Sequence, residues 1–167
     1  MVRRAPPSRD DLFSILDAVK DPEVPVLSVV ELGIVRDATA TAEGVVVTIT
    51  PTYSGCPAMH EIESDIRVAL AERGLGPIEL RTVYAPAWTT DWIGPAAREK
   101  LRAYGIAPPG TATAAEELVP LRRAAAVPCP YCGGTDTSRT SEFGSTACKS
   151  LWLCRSCRQP FEEFKAF

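Results

Sequence analysis

Five of the six cysteines in the 167-residue chain crowd into its last 39 residues, and four of these form two C-x2-C pairs. The pairs are Cys129-Pro130-Tyr131-Cys132 and Cys154-Arg155-Ser156-Cys157, with 21 residues between them. Each pair can lie on a tight turn that aims both sulfurs at one ion, and two such turns make a tetrahedral thiolate cage with Zn–S distances near ~2.3 Å. Four thiolates close the coordination shell, so the metal is expected to fold the segment rather than to catalyse. A module of about 40 residues rarely builds a sufficient core without such a staple. Structural zinc is the expected cofactor, and iron in a rubredoxin-like site is the alternative that spacing leaves open. Cys148, six residues before Cys154, is either a small buried hydrophobe of the ribbon or a spare ligand for metal exchange.

The sixth thiol, Cys56, sits between Gly55 and Pro57 where a strand is expected to give way to a helix. A sulfur at the positive end of a helix is expected to hold its thiolate more easily, as a nucleophile or transient metal ligand requires. No lysine or arginine lies nearby in sequence, and a buried inert cysteine is the plainer alternative. Asp21-Pro22-Glu23-Val24-Pro25 is a stiff loop with two carboxylates, and Thr52 and Ser54 place hydroxyls just ahead of the thiol. Trp88-Thr89-Thr90-Asp91-Trp92 follows a third strand and either lids Cys56 or plugs the edge of a core. His60, the only histidine, lies four residues after Cys56, but a dyad needs a base oriented by a third group, so a solvated histidine is expected. No glycine-rich phosphate loop, Ser/His/Asp arrangement or HExxH motif occurs, and no catalytic residue is assigned.

These residues need elements to position them. Ser8, followed three positions on by Asp11, reads as a helix cap, with Leu12, Ile15, Leu16 and Val19 at helical spacing and Pro22 forcing a stop by Asp21. Val26 to Leu32 reads as a short helical turn ending at Gly33. Residues 34–41 and 44–50 read as a β-hairpin, and Met59, Ile62, Ile66, Ala69 and Leu70 mark one face of a helix that ends near Gly74. Residues 78–84 read as a third strand, parallel to the second across that helix, and Gly94-Pro95 opens a last helix that closes at Gly105. The strand ends at Thr50 and Tyr84 would share one sheet edge, where ligand sites in such sheets lie. The fold class expected is α+β: a small mixed sheet in the order α-β-β-α-β-α over residues 8–105, a linker over 106–127, and a four-cysteine zinc ribbon over 128–167.

Charge divides the chain at a similar place. Residues 1–120 hold 11 basic and 17 acidic side chains, net −6, whereas 121–167 hold 7 and 4, net +3. The acidic first part argues against nucleic acid as a partner. Residues 1–7 lack the apolar core of a secretory signal, and no run approaches the ~20 apolar residues of a membrane span. A cytoplasmic protein with no membrane partner is expected, whose cysteines serve metal or thiol chemistry rather than disulfides.

Asp21-Pro22-Glu23, residues 29–35 (Val-Val-Glu-Leu-Gly-Ile-Val) and residues 50–57 (Thr-Pro-Thr-Tyr-Ser-Gly-Cys-Pro) together resemble the metal–sulfur cluster biosynthesis domain of the SufT type, over about residues 8–105. With residues 86–93 (Pro-Ala-Trp-Thr-Thr-Asp-Trp-Ile) and residues 141–149 (Ser-Glu-Phe-Gly-Ser-Thr-Ala-Cys-Lys), nearly the whole chain resembles the PaaD (also PaaJ) family of bacterial phenylacetyl-CoA epoxidase systems. The resemblance implies a role in aerobic phenylacetate breakdown, where a multicomponent oxygenase epoxidises the CoA-activated ring using a di-iron subunit and a flavin/iron–sulfur reductase. One histidine and no paired Glu-x-x-His motif cannot build the usual di-iron cage, so an accessory role is implied rather than the oxygenase centre. For Cys56 the resemblance implies a reactive or cluster-binding thiol beside the Asp21 and Glu23 loop, acting in delivery of iron or an iron–sulfur cluster to the reductase or oxygenase. One thiol cannot hold a cluster that takes four ligands, so the rest would come from a second protomer, from Cys148 or from the client, and a homodimer is expected. The alternatives are a stable subunit or rubredoxin-like electron carrier of the oxygenase and, more weakly, a nucleic-acid-binding zinc ribbon.

Overall fold

The computed structural model describes residues 6–53, 55–110 and 126–167; Ser54 and most of the linker expected over 106–127 lie outside the described residues. The chain packs as two compact units, Met1–Trp88 and Thr89–Phe167.

The first unit starts with α1 (Arg9–Leu16), where Ser8 and Asp11 cap each other. The Asp11 N–H donates to Ser8 Oγ at 3.1 Å and the Ser8 N–H returns to the Asp11 carboxylate at 2.9 Å. Two donors that a helix start leaves without intrahelical partners are satisfied in this way. Leu12 and Leu16 are fully buried, and Val19, the last member of the apolar repeat, is buried beyond the end of the helix. The chain then folds back on itself: the Asp21 N–H donates to the Leu27 carbonyl at 3.1 Å, and Lys20 and Ser28 form an antiparallel bridge. The helical turn expected before Gly33 is a hydrogen-bonded turn, with the Leu32 N–H on the Ser28 carbonyl at 3.0 Å.

Strand β1 (Val35–Ala40) pairs antiparallel with β2 (Val45–Ile49), and β2 pairs in parallel with β3 (Ile78–Thr82), giving a mixed sheet in the order β1-β2-β3. Val45, Val47 and Ile49 alternate inward along β2. Ile62, Ile66 and Leu70 are fully buried on one face of α2 (Met59–Ala71), the crossover between the parallel strands. Gly44 ends the hairpin turn at φ +151°, where a Cβ would stand 2.1 Å from the Pro77 carbonyl oxygen, so no larger residue fits.

The second unit builds its own mixed sheet, β4-β7-β6-β5, from Ile106–Ala107, Pro160–Phe164, Lys149–Cys154 and Thr137–Ser141 respectively. Its core is Ala107, Cys129, Trp152, Cys154 and Phe161, with Trp152 and Phe161 stacked at 6.4 Å between centroids. The Trp152 indole N–H reaches Ser150 Oγ at 2.9 Å and the Glu163 carboxylate at 2.8 Å, so its polar end is satisfied inside the sheet.

The division at Trp88 differs from the boundary read at residue 105. The helix α3 (Pro95–Tyr104) packs with the cysteine-bearing unit because β4 follows it directly and pairs in parallel with β7. Arg98 fastens the same segment, donating to the carbonyls of Ile93, Thr90 and Pro109 at 2.9, 2.9 and 2.6 Å. The short strands β4 and β5 carry no alternation that sequence reading could use; β5 is Thr-Ser-Arg-Thr-Ser.

Candidate metal centre and thiol site

The four paired cysteines converge. Their Sγ atoms all lie within 4.8 Å of one another, with Cys129 and Cys157 3.7 Å apart and Cys132 and Cys154 3.6 Å apart. A tetrahedron with ~2.3 Å metal–sulfur bonds has edges of about 3.8 Å, so the cage needs only a small contraction to close on an ion. Turn geometry places the sulfurs. In the first pair the Gly133 N–H closes back on the Cys129 carbonyl at 2.9 Å with Gly133 at φ +72°, and the Gly134 N–H points at Cys132 Sγ at 3.4 Å. In the second, β6 delivers Cys154, whose N–H meets the Gln159 carbonyl at 3.0 Å, and Arg158 takes the left-handed conformation at φ 62°.

The electrostatics of the cage fit a cation. The Cys157 N–H, with hydrogen bonds from Cys157 and Cys132, draws the Cys154 thiol down to about 7. The Gln159 N–H pulls on Cys157 too, but burial and proton sharing with Cys132, Cys154 and Cys129 outweigh it and push that thiol up to about 12. One thiolate therefore forms readily and the last only with difficulty; a divalent ion among them supplies the charge that lets all four ionise. Among the described residues no other group of three or more His, Cys, Asp or Glu side chains converges in this way. Cys148 stands outside the cage, buried, with its sulfur 3.1 Å from Thr146 Oγ1.

Cys56 lies in the first unit on the loop between β2 and α2. Its N–H meets the Tyr53 carbonyl at 3.3 Å and its carbonyl receives the Met59 N–H at 3.3 Å, so the backbone curls into α2 around the thiol. The sulfur is half-buried, touched by the Ala58 N–H and the Thr52 side chain, and within electrostatic reach of Glu23 and Asp21. The expected lowering is reversed: burial pushes the Cys56 thiol up, the Ala58 N–H and Thr52 hydroxyl pull it down less, and the Glu23 and Asp21 charges add to the rise. One amide at the start of α2 does not outweigh desolvation and two carboxylates.

The remaining expected site residues separate. Trp88 is buried in the first unit, donating its indole N–H to the Leu32 carbonyl at 2.8 Å. Thr89 and Asp91 belong to the second unit, where the Thr89 hydroxyl donates to the Phe167 carbonyl at 2.9 Å and the Thr90 N–H to the same oxygen at 3.3 Å. His60 is exposed on α2. Sequence reading missed the braces behind the acidic loop: buried Ser28 donates its hydroxyl to Asp17, and the Ser28 N–H and Glu31 carboxylate pair at 3.0 Å. It named Thr50 only as a strand end; that residue, just after β2, is fully buried with its hydroxyl unpartnered. The Ser28-x-x-Glu31 spacing is a capping-box pattern and was the available signal for those braces.

Known families account for both units. Residues 9–76 match the iron–sulfur cluster assembly protein family and residues 113–165 the PaaD zinc beta ribbon domain. The chain is 47% identical over 161 residues to an Escherichia coli protein named as a component of 1,2-phenylacetyl-CoA epoxidase, covering 96% of this chain and 94% of that one. The chain belongs to the PaaD family of phenylacetyl-CoA epoxidase components. The first part of this PaaD-family chain is also similar to smaller proteins. It is 32% identical to an iron–sulfur protein maturation auxiliary factor of Porphyromonas gingivalis, over 52% of this chain and 83% of that protein. It is 33% identical to such a factor of Bacillus subtilis, over 50% and 82%. Among solved structures, a domain of unknown function from Bacillus anthracis matches with TM-score 0.52 and 33% identity over 56% of this chain and 90% of that one. A conserved hypothetical protein of Thermotoga maritima matches with TM-score 0.50 and 31% identity, over 60% and 98%. No helix among the described residues is long and apolar enough to cross a membrane.

Proposed function

We propose that this protein is an accessory maturation component of the phenylacetyl-CoA epoxidase system, which passes iron or an iron–sulfur cluster to the reductase through Cys56. The observation that carries this reading is the half-buried Cys56 thiol, held by Thr52 and flanked by Glu23 and Asp21, inside the region that matches the iron–sulfur cluster assembly family. Burial and the two carboxylates disfavour a resident thiolate at Cys56, and a cation that offsets those charges favours it, which suits transient holding rather than residence. A single thiol leaves most of a cluster's coordination to be supplied by others, so a second protomer or the client completes it. The second unit carries zinc in the Cys129, Cys132, Cys154 and Cys157 cage, and its role is to fold a docking module for the client. Cys148 serves packing in that module. The protein works in the cytoplasm, where thiols stay reduced.

The test is a Cys56→Ser chain co-expressed with the reductase. Iron–sulfur occupancy of the reductase is expected to fall; unchanged occupancy removes the role assigned to the thiol.

A further inference from the structure

We propose that Asp21 is a positioning residue: its carboxylate shapes the loop that presents Glu23 to the cargo of Cys56. This rests on the reading of Cys56 as the cargo thiol. The two acids of Asp21-Pro22-Glu23 look equivalent in sequence, and the fold makes them unequal. Asp21 is 5% exposed, and one of its oxygens, Oδ1, accepts the N–H of Glu23 and the N–H of Val24, each at 2.8 Å. Its own N–H is held by the Leu27 carbonyl at 3.1 Å, and the Leu27 N–H returns to the Val24 carbonyl at 2.9 Å. Both donors, Glu23 and Val24, lie in the turn that follows Asp21, and Pro22, between the acceptor and the first donor, has its φ angle fixed by its ring. A buried carboxylate is tolerated where such bonds replace its water. Remove the acceptor and two backbone N–H groups lose their partner and the turn loses its reason to form.

Glu23 is placed differently. It is only partly buried, and it acts on the Cys56 thiol more strongly than Asp21 does. Within this loop the hydrogen bonds commit one oxygen of Asp21 to the backbone, and Glu23 is the acid that offers its charge. A carboxylate oxygen beside a thiol is a mixed hard and soft donor pair, suited to an iron cation.

The test compares Asp21→Asn, Asp21→Ala and Glu23→Gln in the full zinc-loaded chain. Asn keeps an Oδ1 acceptor without the charge, Ala removes the acceptor, and Glu23→Gln removes the presented charge while leaving the turn. Amide hydrogen exchange at Glu23 and Val24 reads the turn, and iron–sulfur occupancy of the co-expressed reductase reads the function. Asp21→Asn is expected to keep wild-type protection and occupancy. Asp21→Ala is expected to speed exchange at both amides by about ten-fold or more and to lower occupancy as far as Glu23→Gln does. Occupancy in Asp21→Asn as low as in Glu23→Gln would overturn the proposal by giving Asp21 a direct charge role. So would wild-type exchange in Asp21→Ala, or wild-type occupancy in Glu23→Gln. A Cys56→Ser chain with unchanged occupancy removes the cargo reading instead, and the exchange rates then still decide whether Asp21 holds the turn.

Discussion

Stripping the metal from the cysteine cage is expected to unfold the second unit and leave the first standing. The unit's core is small: Ala107, Cys129, Trp152, Cys154 and Phe161, so two of its five members are themselves ligands. Structural zinc contributes about 10–16 kcal/mol in small modules at neutral pH, whereas a whole domain is typically stable by about 5–15 kcal/mol. The metal term is thus as large as the margin it supports. Of the ligands, Cys154 is fully buried, so Cys154→Ala removes a ligand and opens a hole beside Trp152, while chelation removes only the ion. Both are expected to expose Trp152, now 3% accessible, and to shift its emission to the red. The assay is tryptophan fluorescence during chelation, with Trp152→Phe as the reference that isolates this residue among the three tryptophans. Released zinc is counted with a colorimetric dye and a melt is recorded by circular dichroism. One equivalent of zinc, a red shift larger in chains with Trp152 than in Trp152→Phe, where only Trp92 of the second unit contributes, and a surviving transition from the first unit are expected. A chelated chain that keeps Trp152 buried and melts as before would refute the claim that the metal folds this unit. A coloured, iron-containing protein would instead favour the electron-carrier alternative.

Three further outcomes follow from single groups. Ile66→Ala, at a fully buried position on α2, is expected to destabilise the first unit by about 2–5 kcal/mol in urea unfolding, with zinc content unchanged. The Cys56 thiol, raised by burial and by the Glu23 and Asp21 charges, is expected to alkylate more slowly at pH 7 than a cysteine peptide. Glu23→Gln removes a charge that opposes the thiolate and moves the pH–rate profile to lower pH; a wild-type profile at or below that of the peptide contradicts this electrostatic picture. Burial opposes ionisation of Glu162, but the Ser145 N–H and hydroxyl and the Lys149 ammonium outweigh it and hold its carboxyl below the usual value of 4.5. A depressed carboxylate lends stability above its unfolded pKa and loses it as pH falls through its folded one. The stability gap between wild type and Glu162→Gln should therefore be full near pH 7 and narrow below pH 4.5; a gap independent of pH would count against the pairing.

Much of this is legible in one dimension because it rests on local rules. The Ser8/Asp11 cap, the hairpin of β1 and β2, and the Ile62, Ile66, Leu70 face of α2 are set by interactions within a few residues and by the periods of helix and strand. The cage is legible for a different reason: two C-x2-C pairs at that separation are a metal-ligand spacing. Local sequence locates the thiol at Cys56 but misleads about its ionisation, since a loop more than 30 positions earlier supplies the opposing charges.

By itself, then, the sequence determined the secondary elements of the first unit and the four thiols that converge in the cage. The tertiary structure decided how they are shared out. It joined α3 to the cysteine-bearing sheet through β4 and β7, turned Thr89 and Thr90 toward Phe167, and committed Asp21 to its own backbone. It also set the Cys56 thiol above its ordinary range. Each of these depends on pairing or desolvation between distant segments, which no local period encodes, because burial and Coulombic neighbours exist only once the chain has closed on itself.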